Sequence, residues 1–148
     1  MKKILMKAMM TSISEVMETM FYLPVEFGPE SEFCQCGMDD KNILACRLTF
    51  TGDTSGHLIL AVPRNLISEM AENFMGEPRE YLTEEHLSGT LTEMLNMVCG
   101  NTLSKADSKA PFELGIPEAI KESEIAKNDI FTIVETTESK MAIALKID

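Results

Sequence analysis

Thr90-Leu91-Thr92-Glu93-Met94-Leu95-Asn96-Met97-Val98-Cys99 reproduces, residue type by residue type, much of Ser12-Ile13-Ser14-Glu15-Val16-Met17-Glu18-Thr19-Met20-Phe21. Hydroxyl, aliphatic and glutamate positions coincide at the single offset that sets Glu15 against Glu93. Downstream of each copy the likeness continues. Val25-Glu26-Phe27-Gly28-Pro29-Glu30 answers Phe112-Glu113-Leu114-Gly115-Ile116-Pro117-Glu118, with one extra residue in the second copy. Two amphipathic helices of similar composition would share the first pattern alone. The shared order of Gly, Pro and Glu, followed by a hairpin signal in each copy, favours an internal repeat.

The rest of the chain fits around that repeat. Apolar residues from Ile4 to Phe21 recur with a helical period, and Pro24 and Gly28-Pro29 end the helix and open an extended segment. Ile43–Phe50 and His57–Val62 are β-rich runs joined by the turn chemistry of Thr51 to Gly56, which reads as a hairpin. Pro63 opens a helix carrying Leu66, Ile67, Met70 and Phe74 inward, stopped by Gly76 and Pro78. Thr83 followed by two glutamates caps a long helix running to about Ala106. Pro111 to Pro117 is extended or turning, and Ile130–Val134 with Met141–Ile147 forms a second hairpin. The expected fold is α/β of the α+β kind: two pseudo-symmetric helix–strand–hairpin repeats, an antiparallel-rich sheet, long helices packed on it, and one domain over residues 1–148.

Composition narrows the partners. The 148 residues hold 13 basic and 24 acidic side chains, a formal charge of −11. That balance argues against nucleic acid, whose binders draw affinity from Lys and Arg, and against an anionic membrane surface. The Lys-Lys start imitates a signal peptide, but Lys7 interrupts the apolar run and Glu15 and Glu18 follow, so a cytoplasmic protein is expected. Cys34, Cys36, Cys46 and Cys99 are then expected as reduced thiols, with Cys46 and Cys99 reading as small core residues. With a single residue between Cys34 and Cys36, and with two histidines in the chain, no metal site and no cofactor of its own is expected.

On the long second helix Leu91, Met94, Leu95, Val98, Cys99 and Thr102 fall on one side at about 100° per residue. Glu93, Asn96, Gly100 and Ser104 fall on the other, with Met97 beside them. Glu93 and Asn96 are three apart and therefore neighbours. An asparagine amide can donate and accept to fix one water molecule, which is useful where a reaction needs positioning rather than covalent help, as in phosphoryl transfer. Gly100 weakens the helix by about 1 kcal/mol relative to Ala and leaves room for close approach by a partner. Periodicity alone favours reading Glu93 and Asn96 as solvated polar residues on an amphipathic helix. The first copy carries Glu18 where the second has Asn96, so it presents no amide there.

Thr92-Glu93-Met94-Leu95-Asn96-Met97-Val98-Cys99-Gly100-Asn101 resembles the Glu-x-x-Asn helix of the chemotaxis phosphatases CheC and CheX and of the flagellar-switch protein FliY, with a tail most like CheX. Phe50 to Pro63 resembles the family's Gly-containing hairpin and the helix start after it, and Leu114-Gly115-Ile116-Pro117 its post-helix segment. The resemblance implies a phosphatase acting on the aspartyl phosphate of a CheY-type response regulator. It implies Glu93 as the anchor to a lysine of that receiver domain and Asn96 as the residue orienting the attacking water; Met97 and Gly100, by their place on the same helix face, are expected as partner contacts. It implies also that Mg2+ comes with the receiver, that one helix rather than two is active, and that the protein is a homodimer joined through sheet edges. The competing reading is a non-catalytic CheC/CheX-like module that docks a receiver domain or a flagellar-switch component. A small-molecule enzyme with its own nucleophile finds no support, since no Ser-His-acid or Cys-His arrangement is recognisable.

Overall fold

The computed structural model describes residues 2–37, 42–107 and 109–148. In chain order these form α1 (Lys2–Met20), β1 (Glu26–Glu32), β2 (Ile43–Gly52), β3 (Gly56–Pro63), α2 (Arg64–Met75), α3 (Glu84–Ala106), β4 (Phe112–Leu114), β5 (Glu118–Ile120), β6 (Ile130–Glu135) and β7 (Lys140–Ile147). One antiparallel sheet runs β1-β6-β7-β3-β2-β4, with β5 also paired to β2. Both expected hairpins are present, β2–β3 and β6–β7, each a residue or two longer than the apolar runs.

The repeat is built into the order of strands. The two hairpins meet at the centre through β3 and β7, whose pairs run from Gly56↔Ile147 to Ala61↔Ala142. Each repeat's first strand then crosses over: β1 pairs with β6 of the second hairpin, and β4 and β5 pair with β2 of the first.

Alternation along the central strands gives the sheet two unlike faces. Leu58, Leu60 and Val62 of β3 and Met141, Ile143 and Leu145 of β7 join the helices in the main core. The helices contribute Met9, Ile13 and Met17 from α1, Leu66, Ile67 and Met70 from α2, and Met94, Leu95 and Val98 from α3. The opposite face is lined by Ala45, Ala61, Ala142 and Ala144 with Ile59 and, from β6, Phe131, and Phe33 and Ile125 pack on it. Cys46 and Cys99 lie in the main core, as the patterning requires.

Helix ends differ in detail from the sequence reading. Pro63 is the last residue of β3 and stands in extended geometry just before α2, rather than as that helix's first residue. Gly76 ends α2 in the left-handed region at φ 69°, where glycine avoids the Cβ penalty. Phe74, expected to point inward, is 37% exposed and lies at the rim against Phe21, ring centroids 5.4 Å apart. After α1 the chain turns through Tyr22 at φ 57°, which costs a side-chain-bearing residue about 1–2 kcal/mol. Bonds from Leu23 N–H to the Met17 carbonyl (3.0 Å) and from Asn73 Nδ2 to the Phe21 carbonyl (2.7 Å) hold that turn.

Met94 is fully buried where α3 meets the core. Met94→Ala should destabilise the fold by about 2–5 kcal/mol through lost burial and a residual cavity. Urea unfolding at constant slope measures it, and a loss below about 1 kcal/mol would place Met94 outside the packed core.

Candidate active site

The helix α3 that carries Glu93 and Asn96 is fixed at its start by local chemistry. Thr83 Oγ1 accepts from the His86 backbone N–H (3.2 Å) while His86 Nδ1 accepts from the Thr83 backbone N–H (3.0 Å), a reciprocal cap that satisfies two backbone donors. The acids of the first turn do other work. Arg64, at the start of α2, donates to both oxygens of Glu84 (2.5 and 3.1 Å) and so ties the two helix starts together. That bond holds the Glu84 carboxyl below its usual pKa.

Along its inner side α3 buries Leu91, Met94, Leu95, Val98, Cys99 and Thr102, and Thr102 returns its hydroxyl to the Val98 carbonyl (2.6 Å). Glu93 and Asn96 stand on the exposed side. Neither side chain hydrogen-bonds or ion-pairs with any described residue. The structure therefore brings together a free carboxylate and a free carboxamide on one rigid helix, one turn apart.

Met97 and Gly100 are less open than the helical wheel implies. Both are half-buried, Met97 packing on the main core. A Cβ at Gly100 would meet Leu114 Cδ1 of β4 at 3.8 Å. That is an ordinary van der Waals distance, so β4 lies beside the helix here without requiring glycine, a neighbour that periodicity cannot reveal because it comes from another element.

Ser88, Thr92, Asn96 and Gly100 are spaced by four and form one ridge of α3. Ser88 and Thr92 share a hollow of about 330 Å³ with Ala119, Ile120 and Lys121 at one end of that ridge, and Gly100 touches Leu114 at the other. Asn96 lies between them on the ridge, and the turn Gly115-Ile116-Pro117 joins the two strand segments that meet its ends. This wall beside the site carries Ile116, 86% exposed. The sequence reading gave Ile116 no role, although a large aliphatic between glycine and proline was the available signal.

The first copy is arranged differently. Glu15, the counterpart of Glu93, is engaged by Lys105 of α3 at 3.1 Å, and Glu18, the counterpart of Asn96, is exposed. One glutamate is tied to its own fold and the other is not.

The remaining reactive groups lie elsewhere. Among the described residues no three His, Cys, Asp or Glu side chains are grouped to hold a metal ion. No described helix is long and apolar enough to cross a membrane. Burial raises the Cys99 thiol to about 12 and the Cys46 thiol to about 11, and raises Cys36 as well. Burial disfavours the thiolate, the reactive form, so Cys99 is placed as a core residue rather than a nucleophile. Cys34 is the exposed cysteine. Native protein at pH 8 should release one equivalent of thionitrobenzoate from a disulfide reagent, with the other thiols reacting after unfolding. Fast labelling of two or more native thiols would contradict this burial.

A seven-stranded antiparallel sheet with swapped first strands, three helices on one face, and a Glu-x-x-Asn pair free on the third helix define a two-repeat domain of the CheC/CheX type. Solved structures share the fold. A CheC-like superfamily protein from Shewanella sp. PV-4 is 19% identical with a TM-score of 0.75, the match covering 100% of this chain and 99% of that one. The chemotaxis protein CheX from Vibrio vulnificus is 17% identical with a TM-score of 0.74, covering 97% and 96%. CheX in the CheX–CheY–BeF3–Mg2+ complex from Borrelia burgdorferi is 15% identical with a TM-score of 0.74, covering 97% of each chain. No curated protein sequence matches. The family model for the chemotaxis phosphatase CheX matches residues 44–139, from β2 through α3 to the second hairpin. The chain belongs to the CheX family.

Proposed function

We propose that this protein hydrolyses the aspartyl phosphate of a CheY-type receiver domain, with Glu93 anchoring the receiver and Asn96 orienting the attacking water. The observation that carries this reading is the difference between the two copies of the repeat. Glu93 and Asn96 are exposed and uncommitted, whereas Glu15 is bound to Lys105 and Glu18 supplies no amide. Family membership and the Borrelia complex of CheX with CheY support the partner class.

In this reading the Asn96 carboxamide accepts from and donates to one water, holding it in line with the phosphorus. The water oxygen forms the new P–O bond as the bond to the aspartyl oxygen breaks. Inorganic phosphate, a free carboxylate and a proton released to solvent result. Glu93 fixes register by pairing with a cation of the receiver, and the half-buried Met97 and Gly100 form the low ground beside Asn96 on which the partner rests. The Mg2+ needed for phosphoryl transfer is the receiver's own. A homodimer joined through a sheet edge, of which β1 is one, is part of the same reading. It belongs to the cytoplasm.

Asn96→Ala should lower kcat by about 100-fold or more, the scale expected when a reacting water loses its positioning, while receiver binding persists. Glu93→Ala should act mainly on KM, and Glu18→Ala should leave turnover within about twofold. Loss of label from a receiver phosphorylated on aspartate measures all three. A wild-type protein that does not shorten the phosphoryl lifetime of any receiver from its own organism sinks the reading, and a fully active Asn96→Ala sinks the mechanism.

A further inference from the structure

Among the described residues Ile116 is the most exposed large hydrophobic side chain at 86%, ahead of Tyr22 at 69% and Tyr81 at 66%. An aliphatic side chain left in water contributes nothing to its own fold. The backbone that presents it is nevertheless tightly held. The Gly115 N–H donates to the Thr49 carbonyl at 2.7 Å, and a Cβ at position 115 would lie 3.1 Å from that same oxygen, close enough that the backbone would have to give by a few tenths of an ångström. Pro117 fixes its own φ and confines Ile116 to extended geometry. β4 before the turn and β5 after it are both paired to β2. A side chain presented this way loses little freedom when it is covered, which favours its use in binding.

Its position completes the case. The turn joins Leu114, which lies beside Gly100, to Ala119, which shares the hollow with Thr92, so the chain through Ile116 runs along the ridge on which Asn96 stands midway. Glu93 on the helix and Glu113 and Glu118 on the strands flanking the turn are exposed, with Glu118 paired to Arg47 of β2 and Lys121 lining the adjoining hollow, so Ile116 is an apolar point among charged side chains.

We propose that Ile116 is the apolar docking contact by which this chain recognises its phosphorylated receiver, seating against apolar surface that lies beside the cation met by Glu93. This rests on the function proposed above. Ile116 touches neither water nor phosphoryl group; it sets affinity and partner choice.

The test compares wild type with Ile116→Ser, Ile116→Val and, as a remote control, Ile4→Ser on α1, where Ile4 is 54% exposed. Each is assayed for dephosphorylation of a CheY-type receiver from the same organism, and for binding to that receiver activated with beryllofluoride and Mg2+. Ile116→Ser should raise KM and Kd by about tenfold or more, the effect of withholding one buried aliphatic group, with kcat and melting temperature unchanged. Ile116→Val should recover most of the loss, and Ile4→Ser should match wild type. An active wild type with unchanged KM in Ile116→Ser overturns the proposal and leaves the hydrolase standing. So does a fall in kcat alone, or a shift from dimer to monomer with KM unaltered. A wild type that binds without hydrolysing sinks the hydrolase, and the tenfold change in Kd then decides the docking role by itself. A wild type that neither binds nor hydrolyses overturns both.

Discussion

The ladder between β3 and β7 is where the two repeats become one sheet, and most other features depend on it. Six residue pairs, Gly56↔Ile147 through Ala61↔Ala142, place the apolar alternations of both strands in phase. With that register set, Leu58, Leu60 and Val62 face the helices together with Met141, Ile143 and Leu145, and the alanines face away. A slip of one residue would turn these larger side chains to the lightly covered face and leave methyl groups beneath three helices. The helices have one broad apolar surface to pack on because this register supplies it.

From that arrangement follows how α3 comes to expose Glu93 and Asn96. Its inner stripe is spent on the core, its start is tied to α2 through Arg64 and Glu84, and β4 lies close along Gly100. Little freedom remains for the outer residues to find partners of their own. In the first copy the equivalent glutamate lies within reach of Lys105, so the same residue type becomes part of the helix–helix contact. The two copies thus separate by what the surrounding fold offers each carboxylate, beyond the substitution of Glu18 for Asn96.

Much of this was legible in the sequence because it is local. The inner stripe of α3, the two hairpins, the Thr83 cap and the buried Cys46 and Cys99 all follow from period and turn chemistry. What escaped depends on neighbours distant in the chain. The crossing of β1 to β6 and of β4 to β2 has no signal in either segment alone. Gly100 reads as open surface until Leu114 is set against it. Phe74 belongs to an inward-facing period but reaches the rim, where Phe21 covers one side of it. His86 closes the cap that a glutamate at that position more often closes, because its ring nitrogen reaches the Thr83 amide. Of the candidate site, the exposure of Glu93 and Asn96 on one face of α3 was readable, while the neighbouring turn that carries Ile116 needed the strands on either side of it.

The exchange of first strands has a consequence for how such a molecule is made and maintained. Neither half of the chain holds a finished sheet: β6 needs β1 from the other half, and β2 needs β4 and β5. Assembly therefore waits on contacts far apart in sequence, which slows folding relative to a helical bundle of this size and binds both halves into one cooperative transition. A ribosome that has released only the first repeat has released no stable intermediate, and a mutation weakening one repeat is felt by both. For a duplicated protein this is a form of insurance against drift. The copy that carries Glu18 cannot decay without disturbing the copy that carries Asn96.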